Sequence, residues 1–300
     1  MMVFTFKLKK YIFKYSLFAL FFFIAVPSFG GQEKQVENEW YFKLLEQRLI
    51  QDGFDSCLVE SIFKNGDLTF DARGAGLYFV HNESTLNYES FTNETSIFLA
   101  KQYMKKYSDH FDRVEQKFGV DKTVIAAIIL VETGLGTFVG KRSVISTLAT
   151  MAALSAPVVR EDVWTTLDEK KRISWEDFIK KSELKSAWAY KELTAFLRYV
   201  DHEKIDPFSI KGSYAGAMGI PQFMPSNILF LAEDGNEDGV IDMFDHADAI
   251  ASVANYLRHH GWQSDLDHEK TQKVLYSYNH SDPYVTILMR ISKLLKGENG

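Results

Sequence analysis

Residues 124–134, VIAAIILVETG, place eight consecutive apolar residues before a single carboxylate, Glu132, and a glycine, Gly134. Asp121, just before the run, is a residue type that caps helix N-termini, and Gly134 is one that ends helices. We therefore predict a short, fully buried helix. A buried strand is the alternative, because the run is rich in β-branched residues and its periodicity does not separate the two structures.

In the helical interpretation, Glu132 lies in the last turn of the helix. The helix dipole is negative there and the neighbouring residues are apolar, and both effects disfavour a charged carboxylate. We therefore expect the pKa of Glu132 to be raised, which is the property that a general acid needs. The alternative is a glutamate whose side chain reaches solvent and has no catalytic part.

The composition favours a globular, exported protein without nucleic-acid partners. The chain has 300 residues, 46% of them hydrophobic, and a formal net charge of -6. Residues 1–30 carry four lysines and no acid, which leaves 30 basic and 40 acidic residues in the remainder. An acidic balance of this size argues against nucleic acid as a partner.

The N-terminus has the layout of a secretory signal peptide, with lysines, an apolar run over residues 15–26, and small residues at Ser28 and Gly30. We predict a cleaved leader over residues 1–30 and a periplasmic protein that begins near Gly31. An uncleaved membrane anchor is the alternative, and the leader has no lipobox cysteine. Cys57, the only cysteine, cannot form an internal disulfide and is interpreted as a small core residue.

Hydrophobic spacing predicts mostly helices along the chain. Helices are expected over residues 37–51, 56–64 and 143–153, and one long amphipathic helix over residues 97–118 is expected to pack antiparallel to the Glu132 helix. Residues 67–91 have no clear period, and short strands are plausible there.

A highly charged segment over residues 161–185 is predicted to be a solvated surface element. Ser174 and Asp177 are spaced to cap a helix within it. Residues 188–200 are expected to form a further amphipathic helix after this segment.

The glycine-rich stretch KGSYAGAMGIPQFMPS, residues 211–226, resembles the membrane-bound lytic transglycosylase B family when it is combined with ETGLG at residues 132–136. Further similar motifs follow in family order: AIASVANYL at residues 249–257, HGW at residues 260–262 and YNHSDPY at residues 278–284. The resemblance implies a mainly α (α+β) protein with a lysozyme-like fold that cleaves peptidoglycan.

The resemblance also implies a domain organisation. Residues 31–91 form an N-terminal accessory segment and residues 92–300 form the lysozyme-like domain. Residues 158–186 are longer than the usual connection in the family, so we expect an inserted helical segment over about residues 156–205.

Site residues are carried over from the matching motifs. Glu132 corresponds to the catalytic acid and base, while Gly216 and Met218 shape the wall of the cleft. Aromatic faces and amide groups suit N-acetylated sugars, which have apolar ring faces and hydrogen-bonding amides. The expected substrate-binding residues are Ser213, Tyr214, Gln222, Phe223, Tyr256, Tyr278, Asn279 and Tyr284.

These residues favour a lytic transglycosylase. Glu132 would protonate the glycosidic oxygen between N-acetylmuramic acid and N-acetylglucosamine, and no second carboxylate is evident in the matched motifs, whereas ordinary glycosidases use a pair. Attack by the 6-hydroxyl of the sugar would then give 1,6-anhydromuramoyl products. The alternatives are a hydrolytic muramidase with a second acid such as Asp206 or Asp282, and a peptidoglycan-binding protein without turnover. We expect a monomer that needs no cofactor for catalysis.

Residues 234–242, DGNEDGVID, begin like an EF-hand loop, with oxygen ligands at alternate positions and then a glycine. The predicted ligands of a weakly bound structural calcium ion are Asp234, Asn236, Asp238 and the carbonyl of Val240. Asp245 stands at the twelfth position, and Asp248 is the closing ligand that the family resemblance favours. The alternative is a solvated acidic turn.

Overall fold

The computed structural model describes residues 29–80, 88–167 and 173–298, and these ranges are almost entirely helical. The predicted signal peptide falls largely on residues 1–28, outside the described residues. A 3-10 helix covers Tyr88–Thr92. The α-helices, in chain order, are α1 (Phe29–Gln51), α2 (Ser56–Phe63), α3 (Ala72–Val80), α4 (Glu94–Lys106), α5 (Ser108–Phe118), α6 (Lys122–Thr133), α7 (Val144–Ala153), α8 (Pro157–Thr166), α9 (Trp175–Glu203), α10 (Pro225–Leu231), α11 (His246–His259), α12 (His268–Tyr278) and α13 (Asp282–Lys296).

The run at residues 124–134 is helical, as predicted, and forms most of α6. Asp121 caps the helix by accepting a hydrogen bond from the Thr123 backbone N–H at 2.9 Å, and Gly134 ends it with φ at 56°. Every residue from Thr123 to Leu130 is buried. The strand alternative is therefore wrong, and at about 1.5–3 kcal/mol for each large aliphatic side chain, the burial of this helix contributes strongly to the stability of the core.

Helices α6 and α13 pack together and run antiparallel. Their side chains meet at both ends of the pair. Near the start of α6, Thr123 Oγ1 lies 2.7 Å from Ser292 Oγ, and at its end Glu132 contacts Tyr284. The start of one helix therefore lies beside the end of the other. Helices α4 and α5 also contact α6, so α6 is enclosed by its neighbours.

A short antiparallel sheet joins the segment after α6 to the glycine-rich motif. Strand β1 (Arg142–Ser143) pairs with β2 (Lys211–Gly212), with Arg142 opposite Gly212. Gly140 has φ at 98°, and a Cβ atom there would lie 2.1 Å from the carbonyl oxygen of Gly212. Only glycine permits this approach, which brings the two segments together beside Glu132.

The predicted single helix over residues 97–118 is wrong in one respect, because the chain forms two helices, α4 and α5, that meet at Tyr107. This residue leaves the helical conformation, with φ at -109° and ψ at 27°. Its ring stacks on His246 at 4.7 Å, a tertiary contact that the spacing of apolar residues does not reveal. The apolar stripe itself is confirmed, since Ala100, Phe111 and Val114 are buried.

The short strands suggested within residues 67–91 are absent from the described part of that segment, which instead contains α3 and the 3-10 helix. Asp71 starts α3 by accepting a hydrogen bond from the Gly74 backbone N–H at 2.8 Å. Arg142 pairs with the same carboxylate at 2.5 Å. Asp71 caps α3 and is held by Arg142 from a distant segment, which favours a helix here over a strand.

The charged segment is not a purely solvated element. Ser174 does cap a helix, as predicted, by accepting a hydrogen bond from the Asp177 backbone N–H at 3.1 Å. That helix, α9, runs to Glu203 and therefore includes the predicted later helix. Phe178 and Ser182 within the charged stretch are fully buried, and α9 packs on α7. A narrow stripe of small and apolar residues among the charges is buried by this packing.

Cys57 is exposed, so its assignment to the core was wrong. The buried residues of α2 are Val59, Ile62 and Phe63, which place Cys57 on the outward side of the helix. Across the described residues, no helix has the length and hydropathy needed to cross a membrane.

Candidate active site

Glu132 lies in the last turn of α6 and is half-buried. The Tyr284 hydroxyl donates a hydrogen bond of 2.5 Å to Glu132 Oε1. After Glu132 the backbone turns sharply, with positive φ at both Gly134 and Leu135. The helix C-terminus and this turn fix the position of the carboxylate, and the tyrosine fixes its orientation.

Two tyrosines share the environment of Glu132. Burial raises the pKa of both Tyr278 and Tyr284 well above the ordinary tyrosine value, and the nearby Glu132 charge raises both further. Both hydroxyls therefore stay protonated and act as donors. Tyr278 donates to the Pro221 carbonyl at 2.6 Å, and its ring lies parallel to that of Tyr284 at 6.5 Å.

The glycine-rich motif forms a compact loop beside this pair. Met218 and Phe223 exchange backbone hydrogen bonds of 2.9 and 3.1 Å, which close a tight turn between them. Gln222 in that turn has φ at 51°, an uncommon conformation for a residue other than glycine. Its amide nitrogen donates to the carbonyls of Val139 and Gly219. Strained backbone of this kind is concentrated at functional sites.

Thr133 connects the end of α6 to that loop. Its hydroxyl donates to the Ile220 carbonyl at 2.9 Å and accepts from the Gly136 backbone N–H at 3.0 Å. Ile220 in turn donates its backbone N–H to the Met243 carbonyl at 2.8 Å. The neighbour of Glu132 is therefore tied, through one loop, to the segment that follows the predicted metal loop.

The predicted sugar-binding residues lie at two depths. Phe223, Tyr256 and Tyr284 are 2%, 6% and 1% exposed, and rings of this group pack on one another, with Tyr256 and Tyr278 at 4.8 Å. Phe223, Tyr256 and Tyr284 therefore lie behind the surface, whereas direct contact with sugar needs an exposed group. The predicted residues that are only half-buried are Ser213, Tyr214, Gln222, Tyr278 and Asn279.

Sequence reasoning missed two features of the site. It assigned Tyr284 to the sugar and not to Glu132, and it gave Thr133 no role. The order of residues along α13 contains no sign that one tyrosine faces the acid, because that contact depends on the antiparallel packing of α6 and α13. Thr133 directly follows Glu132, so its proximity was a usable signal.

The two acids considered for a hydrolytic mechanism are exposed. Asp206 accepts a hydrogen bond from the Phe208 backbone N–H at 3.0 Å, which stabilises a turn after α9. Asp282 lies in the first turn of α13, where a negative charge is favourable to the helix dipole. Each acid therefore has a local structural role.

The acidic loop is stabilised by its own side chains. Asp234 accepts hydrogen bonds from the backbone N–H groups of Glu237 and Gly239, at 2.7 and 2.8 Å. Asn236 and Asp238 contact each other at 3.0 Å. Among the described residues, no group of three or more histidine, cysteine, aspartate or glutamate side chains is arranged to hold a metal ion.

Asp248 joins the two ends of this loop. It is 1% exposed, and its two carboxylate oxygens accept hydrogen bonds of 2.8 Å from the backbone N–H groups of Gly235 and Asp242. Burial raises its pKa against the opposing effect of these bonds. The oxygen chemistry of Asp234, Asn236 and Asp238 suits calcium, whereas Asp248 would have to share oxygens that already hold backbone groups.

The fold is that of known lytic transglycosylases. The calcium complex of the Escherichia coli lytic transglycosylase Slt35 matches with a TM-score of 0.68 at 22% identity, covering 85% of this chain and 92% of that one. SltB3 from Pseudomonas aeruginosa, in complex with NAG-anhNAM-pentapeptide, matches with a TM-score of 0.68 at 18% identity, covering 87% and 80%. These neighbours define a mainly helical, lysozyme-like protein.

The family is shown by sequence. Residues 37–271 match the family described as the transglycosylase SLT domain, and the chain belongs to that family. Membrane-bound lytic murein transglycosylase B of Escherichia coli (strain K12) is 36% identical over 160 residues. That match spans 53% of this chain and 37% of the length of the relative.

Proposed function

We propose that the protein is a peptidoglycan lytic transglycosylase with Glu132 as its catalytic acid and base. The observation that carries the proposal is the pairing of Glu132 with the Tyr284 hydroxyl at the end of α6, beside the Gln222 turn. A half-buried carboxyl group held in one orientation by a hydrogen bond is placed to give a proton to a bound glycan and to take one back. Membership of the transglycosylase SLT domain family supports the same chemistry.

The mechanism needs one carboxyl group in two steps. Glu132 gives its proton to the oxygen of the bond between N-acetylmuramic acid and N-acetylglucosamine as that bond breaks through an oxocarbenium-like state. The resulting carboxylate then takes the proton of the muramoyl 6-hydroxyl, whose oxygen attacks the anomeric carbon. No water enters the product. The tethered hydroxyl has a high effective concentration, so it outruns water that no residue positions.

The half-buried residues of the site are proposed to contact the glycan. Tyr278 offers an aromatic edge, Gln222 offers its side-chain oxygen and Asn279 its amide, which suit the ring faces and acetamido groups of the sugar. SltB3 is described with a muropeptide fragment bound, which supports a peptidoglycan strand as the partner. Phe223, Tyr256 and Tyr284 are proposed to support these contacts from behind.

Product chemistry tests the proposal. Digestion of purified peptidoglycan should yield 1,6-anhydromuramoyl ends, each lighter by one water than a hydrolytic end, and mass spectrometry separates the two. Predominantly reducing ends would show a hydrolytic muramidase. Binding to the glycan without any cut, by a correctly folded protein, would show a peptidoglycan-binding protein.

We further propose that the acidic loop binds calcium weakly, with a structural role. The D-x-N-x-D spacing supports it, as does the calcium complex of the neighbour Slt35. Asp234, Asn236, Asp238 and the Val240 carbonyl would be the ligands, and Asp248 would close the site by sharing one oxygen with the ion. No catalytic step passes through the ion.

The location and domain division are also proposals. The leader-like residues 1–30 support export to the periplasm, with membrane anchoring as the alternative. Residues 31–91 are proposed as an accessory segment, and α1 and α3 in that segment both pack on α7. Residues 156–205, which contain α8 and α9, are proposed as an insertion into the lysozyme-like domain at 92–300.

A further inference from the structure

A cavity of about 470 Å³ lies at the opposite end of the α6/α13 pair from Glu132. Asp121 and Val124, at the start of α6, line it together with Lys293 and Lys296, at the end of α13. Helix α6 has 12 residues, and a rise of about 1.5 Å per residue separates its two ends by about 18 Å. The cavity shares no lining residue with the predicted sugar cleft, so it is a separate feature.

One wall of the cavity contains an unsatisfied polar group. Trp262 lines the cavity and is 6% exposed, and its indole nitrogen is buried without a hydrogen-bond partner among the described residues. A buried donor without an acceptor costs about 1–3 kcal/mol, and such groups in native proteins need a physical explanation. A ligand acceptor that reached this nitrogen after a small rotation of the indole would remove that cost.

The rim of the cavity carries one cation and one anion that are not neutralised nearby. Lys296 is paired with Asp121 at 2.5 Å. Lys293 and Glu298, in contrast, form no ion pair within the described ranges, and both are exposed at the rim. A ligand with both a carboxylate and an ammonium group could therefore pair with each of them.

The remaining wall favours a peptide over a sugar. Val124, Leu275 and Met289 give it an aliphatic surface, which suits methyl and methylene groups. Sugars bind best against open aromatic faces, and the ring of Trp262 is too buried to offer one. A cavity of this volume holds a fragment of a few residues.

We propose that this cavity binds a short zwitterionic peptide, and that its natural ligand is a stem peptide of the peptidoglycan substrate. The identification of the ligand rests on the proposed function, whereas the site itself does not. A peptide carbonyl accepts from the Trp262 indole N–H, a peptide carboxylate pairs with Lys293, and the side-chain ammonium of the diamino acid in the stem pairs with Glu298, because the N-terminus of a stem peptide is an amide bonded to the sugar. The enzyme thereby holds substrate at two places about 18 Å apart, one for the sugar chain and one for a peptide.

The test uses the full chain and a sugar-free stem tetrapeptide, N-acetyl-alanyl-γ-glutamyl-diaminopimelyl-alanine, whose acetyl group replaces the amide link to the sugar, with binding measured by calorimetry. Lys293→Met should weaken binding about tenfold, as expected for a lost charge-assisted contact. Trp262→Phe should also weaken binding while leaving the melting temperature unchanged or higher, because it removes an unsatisfied donor. Lys191→Met, which changes an exposed lysine of α9 outside the cavity, is the matched control and should bind like the unchanged protein.

Equal affinity for Lys293→Met and the control, or no binding at all, would overturn the proposal. A second measurement separates this result from a failure of the proposed function. Cutting of glycan strands from which the peptides have been removed should be the same for Lys293→Met and the unchanged protein. If glycan is cut but the peptide does not bind, only the peptide site is wrong. If the peptide binds at this cavity but no glycan is cut, the peptide site stands and the catalytic proposal is wrong.

Discussion

A carboxylate lies at each end of α6, and the two carboxylates have different electrostatic surroundings. Asp121 lies at the N-terminus of the helix, beside the Lys296 ammonium at 2.5 Å. Glu132 lies in the last turn, where the Tyr284 hydroxyl donates to it. The N-terminal end of a helix favours negative charge and the C-terminal end disfavours it. One helix therefore provides both a stable anion and a candidate proton donor.

The behaviour of Asp121 shows how strong these local effects are. Burial alone pushes the pKa of Asp121 upward, yet the hydrogen bond from Lys296, the two from Thr123 and the Lys296 charge lower it below the ordinary value. Burial by itself therefore does not decide whether a carboxylate is charged. Its hydrogen-bond and charged partners also shift its pKa.

The largest expected effect is the loss of turnover in Glu132→Gln. The amide keeps the shape of the side chain but cannot give up a proton, so kcat should fall by roughly 10²–10⁴-fold while the melting temperature is retained. Release of soluble muropeptides from sacculi measures it. Asp121→Asn, the same chemical change at the other end of the helix, is the matched control and should keep kcat. Near-normal lysis by Glu132→Gln would contradict the assignment.

Tyr284→Phe should reduce kcat by about tenfold with little change in KM, because the proposed role of the residue is to position Glu132 and not to contact sugar. Donation from the hydroxyl favours the charged carboxylate, so its loss should move the alkaline limb of the pH–rate profile to higher pH. Tyr278→Phe removes a hydroxyl that contacts the Pro221 carbonyl and should leave that limb in place. An unshifted limb in Tyr284→Phe would show that the hydrogen bond has no catalytic part.

Asp121→Asn should lower the free energy of unfolding by about 1 kcal/mol at pH 7, because asparagine still caps the helix but the negative charge beside Lys296 and the helix N-terminus is lost. The pKa of Asp121 is lowered in the folded protein, so this stabilisation is complete above about pH 4, the ordinary aspartate range, and is lost as the pH falls through the lowered value. Urea unfolding at pH 7 and pH 3 measures the difference between variant and unchanged protein. A difference that does not shrink in acid would mean that the charge is not its source.

The smallest expected effect is a rise of a few degrees in melting temperature with millimolar calcium, by mass action on a weak site. Asp238→Ala should abolish the rise, and Asp267→Ala, which removes an aspartate that caps α12 outside the loop, should retain it. Because the loop is tied through Met243 and Ile220 to Thr133, the ion would stabilise the Glu132 end of the helix pair. A melting curve that is unchanged by calcium would indicate a solvated acidic turn.

Several local features were predictable from the sequence because their causes are local. The caps at Asp121 and Ser174 and the stop at Gly134 depend on residues within a few positions of each other. The resemblance correctly identified the family and the helical fold class. The break at Tyr107 and the buried stripe of α9 were not predictable in the same way, because contacts with His246 and α7 cause them.

The sequence by itself predicted a buried element with Glu132 at its end, and the cap at Asp121 and the stop at Gly134, which adjoin the apolar run, favoured a helix over a strand. Only the tertiary structure decided which groups meet at the two ends of that helix. Tyr284 and Lys296 belong to one helix far along the chain, and its antiparallel packing brings the hydroxyl to Glu132 and the ammonium to Asp121. The same packing leaves the cavity lined by Trp262 beside Asp121, at the other end of α6. Contacts between distant segments depend on how helices pack, and hydrophobic periodicity specifies which face is buried but not its partner.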